Sequence, residues 1–229
     1  MRWVSLTLAF TIASAPLLAK DAKTKTAGRL DDSASLFSEI MGTPDRSIPQ
    51  DLLEKANCIV LVPDLKKAAF GIGGKYGRGF ALCRAAGGTG WGPPAAIRIE
   101  GGSIGFQIGV SSTDVVMLVM NQRGMQKLSS SKFTIGADAS AAAGPVGRNA
   151  AAQTDAFMHA EILSWSRSKG LFAGVSLDGA TLRNDLDENQ ALYGQRWTSK
   201  QILGSGAKMP EAASKLITVL NKYSMRERK

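Results

Sequence analysis

The spacing of apolar and polar positions changes period several times along this chain, and each change predicts an element. In "RLDDSASLFSEIMG", Leu30, Ala34, Phe37 and Met41 recur at helical spacing and Gly42 stops the run. "TPDRSIPQ" reads as a turn and "PQDLLEKA" as a short helix opened by Pro49. "NCIVLVP" is a continuous apolar run of strand length, expected to be buried and to end at Pro63. "AAFGIGGKYGRGFALCR" predicts strand segments separated by glycine turns, and "AIRIEGGSIGFQIGVSSTDVVMLVMN" several more short strands. "RGMQKLSS" reads as a helical turn between strands. Lys169-Gly170 and Asp178-Gly179 each predict a hairpin between apolar strands. "DENQALYG" and "PEAASKLITVLNKYS" close the chain as helices. Many strands with helices at both ends define an α+β class. One domain is expected, with an antiparallel, strongly curved sheet or a partly closed barrel.

The stretch "FTIGADASAAAGPVGRNAAA", Phe133 to Ala152, interrupts this pattern with small residues. Period two puts Ile135, Ala137, Ala139, Ala141 and Ala143 on one face of a strand, and Gly136, Asp138, Ser140, Ala142 and Gly144 on the other. A strand so poor in bulk predicts another segment lying close on top of it. Gly144-Pro145 should end it, since proline has no N–H for the ladder.

Composition supports packed structure. With 229 residues and 44% apolar content the chain can bury a substantial core, and its ordinary charged fraction argues against disorder. The N-terminus reads differently. In "MRWVSLTLAFTIASAPLLAKDAK", Arg2 precedes an uncharged run, Val4 to Leu18, which is short for a bilayer span and suits a secretory leader. The expected division is a leader at 1–19, a polar tether at 20–28 and the domain at 29–229, with an uncleaved anchor as the alternative. Export would place the chain in the periplasm or outside the cell. There, Cys58 and Cys83, in two strand-like segments expected to be neighbours, read as one disulfide; two buried thiols are the other reading. Two cysteines and one histidine without ligand spacing argue against a metal site.

Charge adds a direction. The net charge is +9, and no carboxylate occurs from Leu65 to Ile99, where Lys66, Lys67, Lys75, Arg78, Arg84 and Arg98 stand. Val115 to Ala137 likewise holds only Arg123, Lys127 and Lys132. Such segments attract phosphate-bearing partners, although an ordinary solvated surface accounts for charge alone. An exported chain rarely meets nucleic acid, so anionic lipid headgroups fit better.

Enzymatic motifs fail on context. Gly101 to Gly105 matches G-x-S-x-G at Ser103, but "FQIGV" follows where a helix is required. His159, with Asp155 before it, is the sole histidine and reads as structural. "SSSK" lacks the partner motifs of its class, and "GIGGKY" is neither a P-loop nor a dinucleotide fingerprint. No catalytic residue and no cofactor are expected.

"GKYGRG", "GGSIGFQIG", "STDVV", "KFTIGADASAAAGPVGR", "AEILSWSRSKGLFAGVSLDGA" and "ALYG" together resemble the SYLF domain family, also called the yeast actin-binding domain, from about Arg29 to Gly194. The resemblance implies a phospholipid-binding module without catalysis, similar to eukaryotic domains that bind phosphoinositides and, in fungi, bundle actin. The predicted leader departs from that pattern and turns the expectation away from actin. The expected contacts to phosphate are Lys66, Lys67, Lys75, Arg78 and Arg84, followed by Arg148, Arg167 and Lys169. The helix around Leu36, Phe37, Ile40 and Met41 either inserts Phe37 into a membrane or packs on the sheet, packing being the commoner outcome. Asp138, the sole carboxylate between Val115 and Gln153, is expected to be held by backbone donors or by Arg148 or Arg167. The alternative function is a protein-interaction scaffold in the envelope.

Overall fold

The structure, a computed structural model, describes residues 15–43, 47–85, 87–146, 160–168, 170–204 and 206–226. Two long strands organise it. β1 (Cys58–Cys83) and β2 (Ala95–Val119) pair antiparallel along their length, from Cys58 opposite Val119 to Ala81 opposite Ala95. Laid straight, the 26 residues of β1 would extend roughly 85 Å, far beyond the diameter of a compact domain of this size. The ribbon therefore folds back on itself. Cys58 and Cys83, at the two ends of β1, are joined by a disulfide. The bonded cysteines lie on one doubled strand, not on neighbouring strands.

Glycine makes the doubling possible. A Cβ on Gly79 would come within 2.0 Å of the Leu61 carbonyl oxygen, and one on Gly77 within 2.8 Å of Leu65 Cδ1. Gly77 and Gly79, among the glycines read as turns, are thus inside β1, where its returning half lies against its outgoing half. Register shifts at Val62/Leu65 and Phe70/Ile72 supply the bending. Pro63 falls in the first shift and does not end the strand, because a bulge tolerates a residue without an N–H. Beside it Asp64 has φ +56°, and its N–H donates to Asp114 Oδ1 at 3.0 Å. The several short strands expected over 96–121 are likewise one strand, β2, since β1 runs alongside it and pairs with it throughout except at the two register shifts.

Five shorter strands complete the sheet: β3 (Lys132–Thr134), β4 (Ala141–Ala143), β5 (Ile162–Ser168), β6 (Leu171–Gly174) and β7 (Thr181–Asn184). Their order is β3-β7-β2-β5-β4, with β1 on β2 and β6 on β5, and of these pairings only β4–β5 is parallel. The helices are α1 (Ala15–Met41), α2 (Gln50–Lys55), α3 (Gln122–Leu128), α4 (Leu186–Tyr193), α5 (Ser199–Gly204) and α6 (Ser214–Ser224). The result is a curled, mostly antiparallel half-barrel with N- and C-terminal helices, as the pattern predicts.

Alternation along β1 sorts the core into two layers. Ile59, Leu61, Phe80 and Leu82 face Leu30, Phe37 and Ile40 of α1, Leu53 of α2 and Leu216 and Leu220 of α6. Val60, Val62 and Ala81 face into the curl, against Ile97, Ile99, Val115, Phe133 and Leu182.

Several local expectations are revised. Residues 20–28, read as a tether, are helical and continuous with α1. Of the predicted leader, residues 1–14 lie outside the described residues, and no described helix is long and apolar enough to cross a membrane. The single strand expected through 135–143 is broken after β3. Gly136 has φ +85° and lies against Asp178, so the chain turns there before β4. The close approach predicted for this stretch is present: a Cβ on Gly144 would meet the Trp165 ring at 2.0 Å, and one on Gly174 the Gly144 carbonyl oxygen at 2.1 Å. Gly170, at φ +78°, turns the β5–β6 hairpin as expected. Asp178-Gly179 is a turn but no hairpin, because β7 pairs with β2 and β3 instead of β6.

Candidate functional site

Among the described residues, the arginines proposed as phosphate contacts, Arg78, Arg84 and Arg167, have intramolecular partners. Arg84 donates to the carbonyl oxygens of Leu53 at 2.7 Å, Ala56 at 3.3 Å and Ser224 at 2.5 Å, and stacks on Trp91 at 4.1 Å. Arg226 donates to the Lys55 and Ala56 carbonyls. The two guanidiniums thus occupy the C-terminal end of α2, where helix carbonyls lack backbone donors and the dipole is negative. Burial, reinforced by Arg226, pulls Arg84 down to about 10.

Arg78 donates to the Tyr76 hydroxyl at 2.8 Å and pairs with Asp185 at 3.1 Å and Glu188 at 3.4 Å. Burial works against its charge, but the Tyr76 hydroxyl and the two carboxylates outweigh it and raise its pKa. Burial also raises Glu188, an effect that Arg29 partly offsets through a direct ion pair. Arg167 donates to Asp114 Oδ2 at 2.8 and 3.0 Å and to Glu39. It ties β5 to β2 and α1 beside an open cleft of about 520 Å³. Arg148 and Lys169 lie outside the described residues.

The lysines differ. Lys66 is exposed and lies 3.6 Å from Asp64, a loose surface pair. Lys67 and Lys75 are half-buried. Burial, then the charge of Lys67, lowers Lys75, so the lysines of the outgoing and returning halves of β1 feel each other. All three stand where β1 pairs with β2 alone, Lys66 opposite Ser112, Lys67 opposite Ser111 and Lys75 opposite Gly101. Among the described residues, β5 pairs with β2 from Asp114 onward and β7 only up to Glu100, leaving the second edge of the intervening segment free.

Beyond these lysines, at the bend, Phe70 is 81% and Val110 83% exposed. Pattern reading passed over both because they sit in strand-like alternation. For Phe70, its position inside the acid-free stretch from Leu65 to Ile99 was the available signal. Phe37, offered as an insertion residue, is 0% exposed and packs edge-on against Tyr223, so the packing alternative holds. Ser103 stands within β2 opposite Gly73, without the strand-turn-helix context of a nucleophile. His159 lies outside the described residues. Asp138 is exposed and accepts the Thr134 N–H at 2.7 Å, so a backbone donor holds it; Arg167 serves Asp114 and Glu39 instead.

The chain thus combines a curled half-barrel, partnered arginines in its body and a two-stranded ribbon carrying Lys66, Lys67 and Lys75. A family model described as Ysc84, Las17-binding protein actin regulator, matches residues 100–223. Protein YSC84 of Saccharomyces cerevisiae is 34% identical over 201 residues, 86% of this chain and 42% of that protein. SH3 domain-containing protein PJ696.02 of Schizosaccharomyces pombe is 38% identical over 177 residues, 76% of this chain and 41% of that protein. SH3 domain-containing YSC84-like protein 1 of Mus musculus is 31% identical over 191 residues, 82% of this chain and 56% of that protein. This chain spans about half the length of the curated relatives it matches. It belongs to the Ysc84/SYLF domain family, whose domains are generally non-catalytic binding modules.

Proposed function

We propose that this domain binds anionic phospholipids, phosphoinositide-like headgroups among them, at a membrane surface and without catalysis. The observation that carries this reading is the ribbon segment between Asp64 and Asp114. It holds Lys66, Lys67 and Lys75, while Arg78, Arg84 and Arg167 already have carboxylate or carbonyl partners. Lysine ammoniums left to solvent near an anionic surface contribute about 1 kcal/mol each. The predicted leader and the Cys58–Cys83 bond support action at a membrane outside the cytoplasm.

The test is sedimentation with vesicles of phosphatidylcholine alone or mixed with an anionic lipid. Wild type should bind the mixed vesicles, and binding should fall with salt because exposed charges are screened within about 8 Å at physiological ionic strength. Lys66→Glu/Lys67→Glu/Lys75→Glu should weaken it more than about a hundredfold. Folded wild type that binds no anionic vesicle would favour the second reading, a protein-interaction scaffold in the envelope. That reading draws on the protein partner named in the family's description.

A further inference from the structure

We propose that the bend of the β1–β2 ribbon is a membrane-insertion element, with Phe70 and Val110 entering the acyl boundary of an anionic bilayer inside a collar of lysines. The proposal rests on the lipid reading above and names the part of the module that leaves water. From Leu65 to Phe70 the register with β2 is uninterrupted, with Lys66 opposite Ser112, Ala68 opposite Val110 and Phe70 opposite Ile108. Directly opposed residues of an antiparallel pair share a face, as do residues two apart on one strand. Lys66, Ala68, Phe70, Val110 and Ser112 therefore occupy one face of the ribbon. Each of these five is exposed; on the other face Lys67 and Ala69 are half-covered, while Ser111 and Gly109 opposite them are exposed.

A phenylalanine and a valine more than four-fifths exposed side by side are unusual on a domain whose other large apolar side chains are mostly buried. Charge selects the occupant. No carboxylate occurs on β1 beyond Asp64 or on β2 between Glu100 and Asp114, so nothing on the segment repels lipid phosphate. Lysine stems can lie along an apolar boundary while their ammoniums reach the headgroups. The base of the segment is held firmly. Asp64 and Asp114 are linked by the Asp64 N–H, Ser112 donates to Asp64, and Arg167 clamps Asp114 to Glu39. The bend is presented on a braced support, so little ordering entropy opposes its insertion.

The experiment uses the full chain with its disulfide intact, leaving an introduced cysteine as the free thiol. Phe70→Cys, Val110→Cys and, as a control on exposed α5, Lys200→Cys are labelled with an environment-sensitive fluorophore. Each is mixed with vesicles of phosphatidylcholine and phosphatidylglycerol. Probes at 70 and 110 should shift to the blue and be quenched by nitroxides on the acyl chains, while the probe at 200 does neither. Phe70→Ser/Val110→Ser should melt as wild type does, since both side chains are exposed, yet bind the same vesicles about tenfold more weakly or worse. Probes at 70 and 110 that stay in water on vesicles the wild type binds would overturn insertion and leave headgroup binding standing. Wild type that binds no anionic vesicle would overturn the lipid reading itself, and insertion with it. A double variant that binds vesicles normally but loses a dimer in sedimentation would assign the patch to a second copy of this chain and overturn insertion.

Discussion

Lys67 and Arg84 belong to one acid-free stretch of sequence, yet they end in opposite surroundings. Arg84 is inserted among the carbonyls of Leu53, Ala56 and Ser224 and lies against Trp91. Lys67 stands on a two-stranded ribbon that no third strand joins among the described residues, near the charge of Lys75. The body uses arginine because a planar guanidinium reaches several fixed acceptors at once and keeps its charge when partly buried. The ribbon carries lysines, compact charges on flexible stems that serve a surface without fixed acceptors. A positive net charge is thus two populations, one structural and one available, and only the second bears on partners.

That division breaks most visibly at Gly79. Gly79→Val should cost more than about 4 kcal/mol or abolish folding, because the added atoms meet the Leu61 backbone and no side chain can yield. Expression and thermal melting check this; a stable Val variant would mean that the returning half of β1 does not lie where described. Next in size is the bond at the two ends of β1. Cys58→Ser/Cys83→Ser should lose about 3.5 kcal/mol in urea unfolding, from a closed loop spanning 25 positions in sequence. Arg84→Ala should cost about 3 kcal/mol through three lost charge-assisted hydrogen bonds, with vesicle binding of the folded protein unchanged. The triple lysine reversal sharpens the contrast from the other side: stability should stay within about 0.5 kcal/mol of wild type while anionic-vesicle binding collapses.

Smaller effects follow from single carboxylates. Asp138→Ala should lose about 1 kcal/mol, the cost of an unmade turn hydrogen bond to the Thr134 N–H and not that of a broken buried ion pair. Glu188 is raised above its unfolded value, so its contribution to stability is fully present below the unfolded carboxyl pKa of about 4.3 and is lost as pH rises through the folded one. Glu188→Gln should therefore be no less stable than wild type at neutral pH and equal to it in acid. A variant clearly weaker at neutral pH would show that the Arg29 and Arg78 pairs outweigh burial.

Local patterns were legible where the cause is local. The apolar stripe of α1 from Leu30, the short α2 after Pro49 and the turn at Gly170 all depend on residues within a few positions of one another. The long strands were not legible. Gly71, Gly73, Gly74, Gly77 and Gly79 read as turns because local chemistry is the same for a glycine that reverses the chain and one that lets two backbones touch. Of the candidate site, the lysines were legible as charge. Which arginines remain free was not, since Asp114, Asp185 and Glu188 reach them from remote parts of the chain.

By itself the sequence determined the α+β class, the family, the pair of cysteines and the acid-free stretches that give one region its charge. The tertiary structure decided which charges and which apolar side chains stay in water. Phe37 and Phe70 both stand in apolar patterns, but Phe37 is buried against Tyr223 while Phe70 is 81% exposed. Burial is a property of what lies opposite a side chain, and here that is set by contacts between segments far apart in the chain.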